Sequence, residues 1–288
     1  MTPLIVSRTT ASFVSAGHPW VRPDRFTRGL ERLTPGAVVT LVDERGQGIA
    51  SALADPTSDI CARVFHRLPG KTFDPAGAVR RAWDRRAALH TDATTAVTNC
   101  YRIIHGEADF LPGVRVERFA DVVVIEVRCA AIAGYADTIA ATLAELMPAA
   151  RIVIKDHRDD LRQSPVENRA WNGSGFDPET VVSVRELGVT LEARPFAGLA
   201  TGIYPDQRAT RAWLRPTVNG ARVLNLFAYT GAFSSSFLHA GAADATDVDV
   251  AGPSLAIATA NAQANGYGPQ HHAIQQDSRT FLNDTTHE

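Results

Sequence analysis

A chain of 288 residues with 45% hydrophobic and 21% charged side chains is long enough for two or three domains, and its composition is globular, not disordered or fibrous. A formal charge of −2 gives no basic excess for nucleic acid, and the fairly apolar run 128–147 is interrupted by Arg128, Asp137 and Glu145, so no segment is expected to span a membrane. With no leader-like N-terminus, and with Cys61, Cys100 and Cys129 too far apart for a CxxC pair, the chain reads as cytoplasmic, without disulfides or a metal site.

Residues 1–72 read as a small β-rich unit. Val38–Val42, Gly48–Leu53 and Ile60–Phe65 are short apolar runs parted by turn clusters at 43–46 and 55–59, and Pro69-Gly70 closes the unit. Asp74-Pro75 then opens a helix expected to run to about His90, with Pro75 in its first turn and Val79, Ala82, Trp83 and Leu89 on its buried stripe. Arg80, Arg81 and Arg85 lie off that stripe and are candidates for phosphate contacts, although a solvated helix face explains them equally well. Only two lysines occur, Lys71 and Lys155, so positive charge is almost entirely arginine; codon preference accounts for that as readily as function.

A second unit, 73–195, mixes helix and strand. Cys100–Ile104, Val114–Phe119 and Val122–Val127 form a predicted meander, Ala131–Leu146 a helix, and Arg151–Lys155 a further strand. Residues 156–180 read as a loop, and Val181–Arg185 and Val189–Ala193 as a pair of strands. From 196 to 288 the rhythm becomes βαβ: strands at Arg222–Phe227, Ala243–Val248 and Ala273–Gln276 alternate with helices near 232–240 and 253–265, which predicts a parallel sheet. The fold class is therefore α/β throughout its second and third parts.

The segment Val223-Leu-Asn-Leu-Phe-Ala-Tyr-Thr-Gly231 carries the clearest chemistry. A strand ends in a turn with one glycine and a helix follows at once, the arrangement that places ligands at the carboxyl ends of parallel strands. The GxGxxG that wraps a pyrophosphate is absent, which disfavours a dinucleotide and suits a nucleoside without phosphates. Asp249, 18 residues on and at the end of the second strand, is placed to accept both ribose hydroxyls. Asp247 shares its face, so alternation alone does not separate the two. Asp277 follows the third strand, where it could accept from an adenine amino group or simply cap a helix. Asn261 and Asn265-Gly266 read as the end of the intervening helix.

The chain resembles the bacterial PUA-plus-Rossmann methyltransferases of large-subunit ribosomal RNA, best known for making 5-methylcytosine. Gly17-His-Pro-Trp20, Tyr101-Arg-Ile-Ile-His-Gly-Glu-Ala-Asp-Phe-Leu-Pro-Gly113 with Val116-Glu-Arg-Phe119, Gly198, Thr201-Gly202-Ile-Tyr-Pro-Asp206-Gln-Arg208 and Asn225–Ser234 carry the resemblance along essentially the whole chain. Ala200 stands where the family motif has lysine. The resemblance implies a PUA-like RNA-binding domain at 1–72, a central α/β domain at 73–195, and the first half of a class I methyltransferase sheet at 196–288. It implies S-adenosylmethionine (SAM) as cofactor, with Asn225, Tyr229 and Gly231 at its methionine end, Asp249 on the ribose, Asp277 on the adenine, and Gln207 and Arg208 near the mouth. Ribosomal RNA is the implied partner, held by Arg80, Arg81 and Arg85.

The family continues past the third strand with an Asp-Pro-Pro motif and a late cysteine nucleophile, neither of which occurs before Glu288. The expectation is a SAM pocket without its target-base pocket, and a chain inactive by itself. The edge of Arg222–Phe227 would be exposed and prone to pair with a second copy as a homodimer. The three cysteines are expected to be structural. Methylation of another RNA atom, such as guanine N7, and an inactive RNA-binding protein remain as alternative readings.

Overall fold

The computed structural model describes residues 1–158, 167–171, 177–197 and 201–285; Gly198 and Ala200 lie outside the described residues. Its contacts group the chain into two compact units, one of residues 1–87, 102–117 and 121–175, the other of 88–101, 118–120 and 176–288.

The first unit begins with β1 (Thr2–Ile5), α1 (Arg8–Ser15), β2 (Trp20–Val21), β3 (Val38–Val42), β4 (Gly48–Ala54) and β5 (Ala62–His66), whose strands form a sheet in the order β1-β3-β4-β5-β2. β1 runs parallel to β3, with Thr2 beside Val39, and β3, β4 and β5 pair antiparallel. Leu4, Val6, Val14, Val39, Leu41, Ala52 and Ala62 close its core. The β-rich expectation holds, with one addition: α1 is a helix that the sequence hid. Its single buried residue is Val14, too little for a periodic signal, and the Ser7 side chain starts it by accepting from the Thr10 N–H at 3.3 Å.

α2 (Pro75–Asp84) starts as expected, with Asp74 accepting from the Gly77 N–H at 2.8 Å and Ala78, Val79 and Ala82 buried. It stops at Asp84, well short of His90; a 3-10 turn at Ala87–Leu89 and α3 (Asp92–Val97) follow. Arg86 lies just beyond the end and is pulled onto buried Asp109, at 2.8 and 3.2 Å, which draws the chain out of the helical path.

β6 (Cys100–His105), β7 (Val114–Phe119), β8 (Val122–Val127), α4 (Ala130–Ala133), α5 (Ala136–Leu146), β9 (Arg151–Asp156) and β10 (Glu167–Ala170) complete the middle of the chain, with sheet order β10-β9-β8-β7-β6. The predicted 131–146 helix is divided at Gly134, and β10 lies inside the stretch expected to be a loop. β8 and β9 are parallel across α4 and α5, and every residue of β8 is buried. Buried carboxylates are paired with arginines of adjacent strands here: Glu117 with Arg102 at 2.6 Å, and Glu126 with Arg115 at 2.5 Å. Lys155 is fully buried, and desolvation lowers its ammonium pKa to about 8 against the attraction of Glu126 and Glu117.

This packing explains the residues of the 101–113 motif. Glu107 accepts from the Trp20 indole at 2.9 Å and from Arg63 at 3.2 Å; Asp109 takes Arg85, Arg86 and the His105 N–H. Gly113 sits at φ 73° directly over Cys129, whose Sγ would lie 2.1 Å from an added Cβ. The three cysteines are buried, as expected for structural residues, and burial pushes the Cys61 thiol up to about 11 and raises that of Cys129.

The second unit carries the hairpin β11 (Val182–Glu186) and β12 (Val189–Ala193), then α6 (Arg208–Leu214), β13 (Arg222–Leu226), α7 (Ala232–His239), β14 (Asp244–Asp249), α8 (Gly252–Ala264), β15 (His271–Gln275) and α9 (Ser278–Thr285). β13, β14 and β15 form a parallel sheet in that order, with Leu226 beside Val248 and Asp249 beside Gln275. Among the described residues β13 has β14 as its strand neighbour; Leu224 is 47% exposed and Phe227, just past the strand, 76%. The β11–β12 hairpin, expected within the 73–195 domain, belongs to the second unit and packs on α8. Asn261 and Asn265 bond the Glu192 N–H and both main-chain groups of Thr190, at 2.7–2.9 Å.

Candidate nucleoside site at the strand ends

Each of the three parallel strands ends in a turn, and the turns lie beside one another because their strands are in register. Phe227, Tyr229 and Gly231 all adopt left-handed φ, 58°, 53° and 69°, so the chain coils tightly around the end of β13. An added Cβ on Gly231 would lie 2.6 Å from the Asp247 carboxylate and 2.7 Å from the Ala258 Cβ. The glycine is thus required by loop–helix packing as well as by its φ, and its missing side chain faces α8.

Three amides of the turn are already engaged. The Ala228 N–H donates to Val248 O at 3.2 Å, the Tyr229 N–H to Asp249 Oδ2 at 2.9 Å, and the Gly231 N–H to Ala228 O at 3.0 Å. Amides spent in this way do not cradle a pyrophosphate, which agrees with the missing GxGxxG.

Asp247 and Asp249 have separate jobs. Asp247 is fully buried: Oδ1 accepts from the Asn225 amide at 2.8 Å and from the Ser234 hydroxyl, and Oδ2 is 2.9 Å from His271 Nε2. It ties β13, α7 and β15 together. Asp249 is half-buried at the strand end, and its two oxygens each accept one main-chain donor, Tyr229 N–H on Oδ2 and Ala251 N–H on Oδ1, both at 2.9 Å. A carboxylate oxygen has two acceptor directions, so the group is aimed by the backbone while one direction per oxygen stays open.

The other sequence candidates fall as follows. Asn225 spends its amide on Asp247 and on Ser234 Oγ, the latter at 3.1 Å. Asp277 is exposed and caps α9, Oδ1 accepting from the Arg279 and Thr280 N–H at 3.0 and 3.1 Å. The helix-cap reading is therefore the one seen, and it uses one oxygen only. Gln207 immediately precedes α6 as its N-cap, without a cap bond from its own side chain, and Arg208 begins the helix. Asn265 ends α8, as expected; Asn261 does not, lying buried within it and donating to Thr230 O at 3.0 Å.

Residues the sequence reading missed hold this corner in place. The Gly202 N–H donates to Tyr229 Oη at 2.9 Å, the Thr230 hydroxyl donates back to Gly202 O, and the Tyr204 and Tyr229 rings lie 5.4 Å apart. Arg211, 1% exposed, makes a bidentate pair with Glu186 at 2.5 and 2.7 Å and donates to Tyr204 O at 3.0 Å. Val250, 65% exposed, follows Asp249 as an apolar surface at the strand ends. Nothing local distinguished Arg211 as the buried one, because Asp206, Arg208 and Arg215 surround it in the sequence.

Comparison with known proteins gives consistent findings. Residues 4–67 match the PUA-like domain family, and residues 123–274, more than half of the chain, match the S-adenosylmethionine-dependent methyltransferase family. Proteins named ribosomal RNA large subunit methyltransferase I from Cronobacter sakazakii and Escherichia coli are 31% and 30% identical over 269 residues, 91% of this chain. The chain spans 66% of the length of each. Among solved structures, a candidate SAM-dependent methyltransferase from Streptococcus mutans superposes with a TM-score of 0.79 at 21% identity, covering all of this chain and 74% of that one. A candidate methyltransferase solved with SAH superposes equally well, over 73% of its length.

Proposed function

The chain belongs to the S-adenosylmethionine-dependent methyltransferase family, and on that premise we propose that it serves in methylating a base of large-subunit ribosomal RNA, cytosine at C5, in the cytoplasm. The observation that carries the reading is the Asp249 carboxylate, fixed by two backbone donors at the end of the middle strand with an acceptor direction open on each oxygen. The PUA-like match, the names of the two relatives, and the resemblance of the 17–20, 101–113 and 225–234 motifs support RNA and cytosine as the target.

The residues present fit the cofactor, because the turn offers a diol acceptor and apolar surface but no phosphate cradle. Asp249 accepts the ribose hydroxyls, and exposed Val250 covers a face of the adenine. Asp277 keeps Oδ2 for the adenine amino group while Oδ1 caps α9. Tyr229 and Gly231 shape the methionine end, where Asn225 presents its Oδ1 because its amide is committed. Gln207 and Arg208, steadied through Tyr204 by Arg211, flank the mouth. When bound, SAM supplies an electrophilic methyl group on its sulfonium. The protein's part is to hold that carbon in line with an unstacked base and to exclude water. The buried thiols of Cys61 and Cys129 do not serve as the nucleophile that addition at cytosine C6 requires.

Nucleoside mass spectrometry of large-subunit RNA from cells lacking the gene tests the proposal. Loss of one 5-methylcytidine is expected. Loss of 7-methylguanosine instead would move the target to guanine N7, and unchanged RNA would favour an RNA-binding protein without activity.

A further inference from the structure

The first unit contains a cavity of about 540 Å3 formed by the end of β5, the 67–74 connection and the outer face of α2. Arg67, Lys71, Arg81 and Arg85 line it against one carboxylate, Asp74, which is occupied as the cap of α2. Arg85 is paired with Asp109 at 3.0 Å, whereas Arg67, Lys71 and Arg81 are exposed and make no ion pair with an acid among the described residues. Phe65 and Phe110 supply apolar surface in the same cavity. Phe110 is half-buried and held at φ 58°, a left-handed conformation that is unfavourable for a bulky residue.

A second cavity, of about 320 Å3, adjoins the first and shares Arg67 and Phe110 with it. Gly17, His18 and Glu107 line that one, with the exposed rings of Phe13 and Trp20 within 6.4 Å of the His18 ring. His18 is locked by Trp20, whose main-chain N–H and C=O lie 3.3 and 3.0 Å from Nδ1. Cations without partners, aromatic faces and a recess beside them are the combination that binds single-stranded nucleic acid: cations follow the phosphates and rings stack the bases. A row of unpaired cations suits a phosphate backbone better than a protein partner, and a duplex, with its bases stacked on one another, has no free base face to offer Phe110.

We propose that this pair of cavities is a binding site for a short single-stranded stretch of RNA, whose phosphates run over Arg67, Lys71 and Arg81 while one base stacks on Phe110 and enters the smaller cavity. The proposal rests on RNA being the partner, and it places the phosphate contacts on Arg67, Lys71 and Arg81 and not on all three of Arg80, Arg81 and Arg85. Arg80 points the other way, to an ion pair with Glu145, and takes no part.

Fluorescence anisotropy of the full chain with a labelled, mixed-sequence single-stranded oligoribonucleotide tests the site. Lys71→Glu and Arg81→Glu should each weaken binding at least about tenfold, and each should reduce the slope of log K against log salt by roughly one. Phe110→Leu should weaken binding without changing that slope, and Arg80→Glu should bind as the parent does. A duplex of the same sequence should bind more weakly than the single strand. Parent-like binding by both Lys71→Glu and Arg81→Glu would overturn the proposal, as would an equal loss with Arg80→Glu or a preference for duplex. SAM affinity, read by calorimetry on the same samples, reports on the strand-end site separately.

Discussion

The main-chain N–H of Tyr229 donates to the Asp249 carboxylate at 2.9 Å, joining the turn after β13 to the end of β14. A left-handed residue, φ 53°, thereby aims a carboxylate on the neighbouring strand. The turn and the acid form one preorganised corner, so changes to either should be felt by the other.

Gly231→Ala should cost roughly 2–5 kcal/mol of stability, combining a left-handed backbone with overpacking. The added methyl would meet Asp247 at 2.6 Å and Ala258 at 2.7 Å, both held in place by packing. Urea unfolding of the second unit measures it, and a loss below about 1 kcal/mol would mean that α8 yields easily.

Asp247→Ala should act first on the fold. It strands buried donors on Asn225, Ser234 and His271, each worth about 1–3 kcal/mol when unsatisfied. A stability loss of at least about 3 kcal/mol is expected by chemical denaturation. An unaltered unfolding curve would refute its place as the tie between strands.

Arg211→Met should lower stability by about 3–5 kcal/mol, because Glu186 would be left charged and buried. Adding Glu186→Leu to it should restore most of the loss. A double variant no better than the single one would show that the Arg211 bond to Tyr204 O, and not charge burial, carries the effect.

Lys155 gives the first unit a pH signature. Its folded pKa, about 8, lies below the ordinary 10.5, so from about pH 8 to 10.5 the unfolded chain holds a proton that the folded chain lacks. Stability from this group therefore rises with pH through that window, and the cost of burying the charge is present in full below it. Lys155→Met should be more stable than the parent below pH 8, by up to on the order of 3 kcal/mol. That advantage should shrink towards pH 10.5. Thiols and phenols titrating above pH 9 are common to both proteins and cancel in the difference. A constant difference across the window would show that Lys155 stays charged.

Much of the second unit was legible in the sequence because its signals are local. The strand–turn–helix at 223–234 reads from apolar runs and one glycine, and Asp249 from its place at a strand end. What was hidden depends on partners distant in sequence. Glu186 and Arg211 are 25 residues apart, and nothing local in either tells that they form one buried pair. Asn261 looked like a helix end because asparagine is a poor helix former; its buried bonds to Thr230 O and the Glu192 N–H outweigh that preference. Asp247 and Asp249 share a strand face, and only depth in the sheet separates a structural tie from an open acceptor. The arginines of α2 looked equivalent, yet Arg80 is tied to Glu145 while Arg81 lines a cavity.

Calorimetry of SAM binding to the parent and to Asp249→Ala is the most direct test of the central claim, with circular dichroism confirming that both are folded. Charge-assisted bonds to two ribose hydroxyls are worth roughly 1.5–3 kcal/mol each, so the variant should lose at least about tenfold in affinity. The parent should bind SAM and its demethylated product, and not NAD, because the turn lacks the GxGxxG that wraps a pyrophosphate. Equal affinity for parent and variant, or a parent that binds no SAM, would contradict the account.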